Sequence, residues 1–294
     1  MYDIIIVGAG PAGLTSALYA LRANKKVLIL ESKTYGGQIV NASKVENYPG
    51  VKSISGFDYA TNLYDQVKDL GAEFKFETVL RIEENLSVIT SKNTYQGKAI
   101  ILATGAENRK LKLENEDKFI GKGVSYCATC DGNFYKNKVV AVVGGGNTAL
   151  EDAVYLSNLA SKVYLIHRRN SFRGENKYLD ELHEKDNIEY ILNANVIQIN
   201  GDEKLQSIDV KENENIKTID IDGLFIAVGQ EPKNDIFANI IDIDESGYIV
   251  SKDGVHTNVD HIYVAGDARV KDLRQLTTAV SDGAMATTMA IKEM

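Results

Sequence analysis

Cys127 and Cys130 are the only cysteines among 294 residues, and they stand together as one C-x-x-C. Two thiols so spaced can close into a disulfide, and the couple takes up or gives back two electrons. A zinc site would need two more ligands, but His167, His183, His256 and His261 are scattered and no second close-spaced pair exists. A structural staple is a poor reason for the motif, since so small a loop restricts the unfolded chain very little. Thioredoxin-type domains also carry C-x-x-C, opening a helix after a strand. Here the motif runs into Asp131-Gly132 and then into a strand of nucleotide-binding type, which sets it apart from that arrangement. Asp131 follows the second cysteine directly, where a carboxyl could give or take a thiol proton. The alternative is a turn residue ahead of Gly132.

A hydride carrier also moves two electrons, and the chain has two places to hold one. The apolar run Asp3 to Val7 reads as a buried parallel strand and leads into Gly8-Ala9-Gly10-Pro11-Ala12-Gly13. A helix is expected from Pro11 to about Ala23, its N-terminus facing a diphosphate that the glycines allow close to the backbone. The next strand, Lys26 to Leu30, ends at Glu31, placed 23 residues after Gly8 to accept hydrogen bonds from a ribose.

The unit recurs. Lys138 to Val143 reads as a strand, Gly144-Gly145-Gly146-Asn147-Thr148-Ala149 as a G-x-G-x-x-A turn, and a helix is expected to about Leu159. A strand over Lys162 to Ile166 ends at His167, again 23 residues after the first glycine, so the acid is absent. His167-Arg168-Arg169, with Arg173, stand there instead, and guanidinium groups suit a ribose 2′-phosphate, which points to NADP(H). The other reading is a solvated basic cluster at a strand end. Ile100 to Gly105 (IILATG) and Leu224 to Gly229 (LFIAVG) form a second matching pair, so the halves look homologous.

Length suggests about two domains at roughly 150 residues each. A net charge of -8 argues against nucleic-acid binding as the main task, and no apolar run approaches a membrane span. The start, Met1 directly into a strand, lacks a signal-peptide pattern, so a cytoplasmic location is expected; in a reducing compartment a C-x-x-C is catalytic or metal-binding rather than structural.

Taken in order, the motifs resemble those of the low-molecular-weight bacterial thioredoxin reductases, flavoenzymes among the disulfide reductases with two dinucleotide-binding domains. The match comprises the first glycine turn, Gly36-Gly37-Gln38, Glu46 to Gly50, Ala103-Thr104-Gly105, Cys127 to Gly132, Gly144 to Glu151, His167-Arg168-Arg169 with Arg173, Gly266-Asp267 and Arg274-Gln275. The resemblance implies an α/β fold of two Rossmann-like domains. A discontinuous FAD domain, residues 1–112 with 241–294, would flank an NADPH domain, 113–240, that carries the redox disulfide. It implies FAD contacts from Gln38 and Asn47, Asp267 near the ribityl and diphosphate, and Arg274 and Gln275 near the flavin ring. Gly8, Gly10, Pro11, Ala12, Gly13, Glu31, Gly37, Ala103, Thr104, Gly105 and Gly266 complete that site. Gly144, Gly146, Asn147, Thr148, Glu151, His167, Arg168, Arg169 and Arg173 would hold NADPH.

Electrons would then pass from NADPH to FAD, to the Cys127–Cys130 disulfide and on to a protein disulfide of a thioredoxin or thioredoxin-like partner. A dithiol docked on the flavin cannot also meet that partner, so the domains are expected to rotate about the two crossings. A homodimer is implied as well. Two alternatives stand beside this: a ferredoxin-dependent flavin thioredoxin reductase, whose relatives lack the second turn and basic cluster, and a redox-sensing nucleotide binder without turnover. Leu111 to Asp117 lacks the glycine and proline expected at the first crossing.

Overall fold

The computed structural model of the protein describes residues 1–42 and 44–294. The chain opens with Tyr2–Val7 (β1), Pro11–Arg22 (α1), Val27–Glu31 (β2), Gly56–Asp69 (α2), Glu73–Phe76 (β3), Val79–Ile82 (β4), Ser87–Thr90 (β5) and Thr94–Leu102 (β6). It continues with Ala106–Asn108 (β7), Val124–Ser125 (β8), Ala128–Asp131 (α3), Val139–Gly144 (β9), Asn147–Ser157 (α4), Lys162–Ile166 (β10), Asn176–His183 (α5) and Ile188–Ile191 (β11). Then come Ala194–Gly201 (β12), Leu205–Glu212 (β13), Asn215–Asp220 (β14), Gly223–Ala227 (β15), Gln230–Pro232 (β16), Ile262–Val264 (β17) and Leu276–Glu293 (α6).

Two compact units result, residues 1–107 with 231–294 and residues 108–230. The crossings lie ahead of the positions near 112 and 240 expected from sequence, because Leu111 and Leu113 pack into the core of the second unit and Phe237 and Ile241 into that of the first. Both crossings are short strands, β7 and β16, which pair with each other.

In the first unit β3-β2-β1-β6 run parallel, β17 joins the far side of β6, and β5 and β4 add an antiparallel hairpin along the lower half of β6. Alternation along β1 decides what packs on each face. Ile4 and Ile6 meet the side of α1 and α6, while Ile5 and Val7 meet Phe237, Ile241 and Ile249 of the returning segment. Helix α1 starts with Pro11 and has Arg22 in its last turn, the usual order of a residue that needs no N–H and a cation facing the carbonyl end.

The second unit repeats the plan in a parallel sheet, β11-β10-β9-β15-β8. Val140 and Val142 pack beneath α4, and Ala141 and Val143 face the antiparallel sheet β12-β13-β14 through Val196, Ile208 and Val210. In each unit the strand before the glycine turn is central, with the strand after the helix on one side and the later matching strand on the other.

Candidate active site

At the first turn, Gly8 has φ 109°, and a Cβ there would lie 2.2 Å from the Ala103 carbonyl oxygen. The chain must pass over the end of β6 at this point, and only glycine permits that approach. Ala9 N–H donates to Glu31 Oε2 at 2.9 Å, and Lys33 N–H donates to the other carboxylate oxygen at 2.9 Å. Ser32 Oγ also donates to Oε1 at 3.3 Å, so Glu31 braces the turn and Oε2 keeps a lone pair for a further donor. The Gly36-Gly37 segment lies against the same turn, with Gly36 N–H donating to the Ala9 carbonyl at 2.8 Å.

The returning segment brings in the late motifs. Helix α6 packs on α1 through small residues: Ser16 Oγ donates to Gly283 O at 3.1 Å and Thr287 Oγ1 to Ser16 O at 3.0 Å. That packing sets Gly266-Asp267 beside Ala12 in the first turn of α1. Asp267 Oδ1 is buried with no partner among the described residues. Burial pushes its carboxyl up, while Lys271, Arg274 and Arg269 pull it down. Beneath it, Asp282 accepts from Gly266 N–H (3.1 Å), Arg269 Nε (2.9 Å) and Lys271 Nζ (2.9 Å). Burial opposes ionisation of Asp282, but Arg269 and Lys271 outweigh it and hold the carboxyl below its usual range.

Arg274 lies over the Tyr248 ring at 4.1 Å, with Nε buried and unpartnered. Gln275 caps α6 reciprocally with Thr278, and Asn47 Nδ2 reaches Gln275 Oε1 at 3.1 Å. Thr104 Oγ1 donates to Asn234 Oδ1 at 2.7 Å, and the fully buried Asn234 donates on to Gly247 O and Ala268 O. One cradle thus gathers Gly8 to Gly13, Glu31, Gly37, Thr104 and Asp267, with Asn47 and Gln275 joined at its α6 end. Asn234 and Asp282 were not singled out from sequence; a buried amide and a carboxylate inside a small-residue helix carry no motif, only the misfit of polarity with burial.

At the second turn Gly144 repeats the role of Gly8, a Cβ there lying 2.3 Å from the Ala227 carbonyl oxygen. Gly146 has open space around it, and Asn147 and Thr148 are exposed at the start of α4. Asn147 is held by Glu175, donating to Oε1 at 3.0 Å and accepting from its N–H at 2.8 Å, while Tyr178 OH donates to Glu151. Arg173 N–H donates to Gly145 O at 2.7 Å, which folds the basic loop back onto the turn.

Arg168, Arg169 and Arg173 are exposed and have no acidic partner among the described residues. His167 does not share that exposure: its ring lies under Gly145 and stacks on Phe172 at 5.3 Å, and Nε2 has no partner among the described residues. Burial first, then the charges of Arg173, Arg168 and Arg169, lower its pKa and keep the imidazole neutral.

Cys127 and Cys130 form a disulfide, their Cα atoms 5.3 Å apart. Cys127 stands at the N-cap position of α3, four residues long, with one residue between it and the two-residue β8, and its side chain makes no capping bond. The contrast drawn from sequence with thioredoxin-type motifs, that this one does not open a helix after a strand, is therefore corrected. What differs is that α3 ends after one turn at Gly132, where a Cβ would lie 2.8 Å from the Tyr155 ring of α4. Ser125 Oγ accepts from Cys127 N–H (3.1 Å) and lies 2.7 Å from Asp131 Oδ2 and 3.3 Å from Cys127 O. Asp131 Oδ1 is buried without a partner among the described residues. Burial pushes Asp131 up, and the bond from Ser125 pulls it down. Behind the motif, burial and the neighbouring Glu151 push Asp152 up to about 7, against the pull of the Ala128 backbone N–H. Tyr126 OH donates to buried Glu116 at 2.5 Å, and Glu116 also accepts from Leu111 N–H and Leu113 N–H.

The first cradle fits a dinucleotide: a helix N-terminus beside a glycine turn, a ribose-type acid and, on Asp267, one buried oxygen without a partner among the described residues. The second fits one with an anionic ribose end, since three guanidinium groups stand without counter-ions. No group of three or more His, Cys, Asp or Glu able to hold a metal occurs among the described residues, and none of the described helices is long and apolar enough to cross a membrane.

Comparison with known proteins agrees. Residues 2–283 match the family model "Pyridine nucleotide-disulphide oxidoreductase". The chain is 41% identical to a thioredoxin reductase of Listeria monocytogenes, covering 97% of this chain and 92% of that protein. It is 42% identical to one of Mycoplasma genitalium, covering 97% and 93% respectively. The crystal structure of thioredoxin reductase from Streptococcus pyogenes superposes with a TM-score of 0.94 at 37% identity, over 100% of this chain and 98% of that one. Kinship over nearly the whole length, with the disulfide and both glycine turns in place, assigns the chain to the pyridine nucleotide-disulphide oxidoreductase family, among its low-molecular-weight thioredoxin reductases.

Proposed function

We propose that the protein is an NADPH-dependent thioredoxin reductase, with FAD in the unit formed by 1–107 and 231–294 and NADPH in the unit formed by 108–230. One observation carries this: the Cys127–Cys130 disulfide lies in the same unit as a glycine turn whose basic loop leaves three arginines without counter-ions. Bound NADPH supplies a hydride, and bound FAD supplies a two-electron relay between a nicotinamide and a disulfide.

In this reading the N–H groups of Gly10, Ala12 and Gly13, at the turn and the start of α1, hold the FAD diphosphate, and Glu31 accepts from the ribose. Asp267 offers its free oxygen to the ribityl chain, while Gly37, Gln38, Asn47, Arg274 and Gln275 line the ring. Gly144, Gly146, Asn147 and Thr148 receive the NADPH diphosphate, with Glu151 on the same helix. Arg168, Arg169 and Arg173 take the 2′-phosphate, and neutral His167 supports the turn from below.

Opening the disulfide with two electrons leaves sulfur anions that need protons, and Asp131, kept protonatable by burial, gives one. The dithiol then meets a thioredoxin disulfide. One thiolate attacks a partner sulfur and forms a mixed disulfide; the second cysteine displaces it, so Cys127–Cys130 closes and the partner leaves as a dithiol. Kinship with thioredoxin reductases supports thioredoxin as the partner, a homodimer as the assembly and the cytoplasm as the compartment.

Anaerobic titration of the FAD-loaded protein with NADPH, and separately with NADH, followed by oxidised thioredoxin, tests the reading. Bleaching of the flavin by NADPH and its reversal by thioredoxin are expected. Bleaching by reduced ferredoxin but by neither nucleotide would assign the ferredoxin-dependent alternative, and no turnover with any donor would leave a sensor.

A further inference from the structure

Ser125 has one hydroxyl hydrogen and two acceptors within reach. Its oxygen accepts Cys127 N–H at 3.1 Å, and its hydrogen can go to Asp131 Oδ2 at 2.7 Å or to Cys127 O at 3.3 Å. Ser125 is 4% exposed, so no water completes the set at low cost. We propose that Ser125 is a positioning residue that reads the protonation state of Asp131 and transmits it to the Cys127 peptide. The inference rests on the reading of Asp131 as the proton donor to the dithiol.

The bookkeeping allows two arrangements. With Asp131 ionised, the serine hydrogen points at Oδ2, and Cys127 O keeps only the bond from Asp131 N–H at 3.1 Å. With Asp131 protonated on Oδ2, the carboxylic O–H donates to the free lone pair of Ser125 Oγ, and the serine hydrogen turns to Cys127 O. No bond is made or broken beyond the proton on Asp131. The Cys127 peptide is thus held by one more hydrogen bond while Asp131 carries the proton that the departing thiolate needs, and it is released once that proton has gone.

Oδ1 cannot serve instead, since it is buried with no acceptor beside it. The titratable groups facing the turn are Tyr135 on the segment that follows and Asp152 on α4, and neither brings a cation that would replace the serine as the stabiliser of an ionised Asp131. Burial therefore favours the neutral carboxyl and Ser125 the charged one, which leaves the balance in the hands of a single hydroxyl.

The test uses the full-length, FAD-loaded protein. The rate at which dithiothreitol opens the Cys127–Cys130 disulfide is followed across pH by thiol labelling and mass spectrometry. Each rate is expressed per concentration of dithiothreitol thiolate at that pH, so the ionisation of the reagent cancels. Wild type should lose rate as Asp131 deprotonates. In Ser125→Ala that limb should move to higher pH by about one unit, the loss of one hydrogen bond to a charged group, and Ser125→Thr should restore it. Should Ser125→Ala not retain FAD, Ser125→Gly is read in the same way. Superposition of the serine-free variant on wild type would overturn the proposal, as would an equal shift on an Asp131→Asn background. A limb that persists in Asp131→Asn itself would instead remove the proton-donor role of Asp131, and the proposal with it.

Discussion

The two glycine turns stand on the same scaffold and present opposite charge. Gly8 and Gly144 cross the ends of β6 and β15 against equivalent carbonyls, Ala103 and Ala227. Beyond that point the units diverge. The first braces its turn with Glu31 and keeps a buried, unpartnered oxygen on Asp267; the second has a neutral His167 beneath its turn and three exposed arginines around it. The glycine-turn backbone is common to both, and in the reading proposed above the side chains at the end of the following strand set which nucleotide is favoured. The disulfide belongs to the second unit alone.

The largest effect should come from that last difference. Cys127→Ser or Cys130→Ser is expected to lower thioredoxin-linked turnover by at least about 1000-fold, because no other residue can form the disulfide. FAD content, read by absorbance, should stay at the wild-type level; a loss of FAD would break the separation of roles between the units.

Arg168→Ala combined with Arg169→Ala should reduce the preference for NADPH over NADH, measured as a ratio of kcat/KM, by about 100-fold. Activity with NADH should change little. An equal loss with both nucleotides would show the arginines to be structural and the charge contrast to be incidental.

The reciprocal test lies in the first unit. Asp282→Asn weakens the bonds that hold Gly266, Arg269 and Lys271 under Asp267, so FAD affinity for the apoprotein should fall by about tenfold, as followed by quenching of flavin fluorescence. NADPH affinity should not move.

The smallest effect concerns the end of α6, where His256 bridges Asp253 (2.7 Å) and Glu293 (3.0 Å), and Tyr263 OH also donates to Glu293 (2.6 Å). The hydrogen bond to Asp253, then that to Glu293, raise the His256 pKa against the opposing effect of burial. A raised folded-state pKa means that the stabilisation is fully present below the unfolded value, about 6.5, and is lost as pH rises through the folded value. The bridge is partly solvated, so His256→Gln should lower Tm by only about 2 °C in mild acid and by nothing measurable once wild-type His256 is neutral. A deficit that grew with pH would contradict this sign.

Much of this was legible in the sequence because it rests on local rules. A buried parallel strand needs a continuous apolar run, a diphosphate turn needs glycine where a Cβ would strike the next strand, and a ribose or its phosphate needs an acid or a base at the strand end. Asp3 to Val7, Gly8 to Gly13, Glu31, Gly144 to Ala149, Arg168 and Arg169 follow from these rules without a coordinate. The C-x-x-C announces its chemistry through residue type and spacing alone.

Tertiary structure decided what depends on partners far apart in the chain. Asn234 meets Thr104 across 130 residues, Ser16 meets Gly283 across 267, and Asn47 meets Gln275 across 228. The inward turn of His167, the place of Cys127 at the start of α3 and the unshared oxygens of Asp131 and Asp267 are likewise outcomes of packing. Spacing can specify which residue types reach a site, because the helix and strand repeats are fixed by covalent geometry. It cannot specify which polar atoms are left over once burial has removed water, since that count closes only when every neighbour is in place.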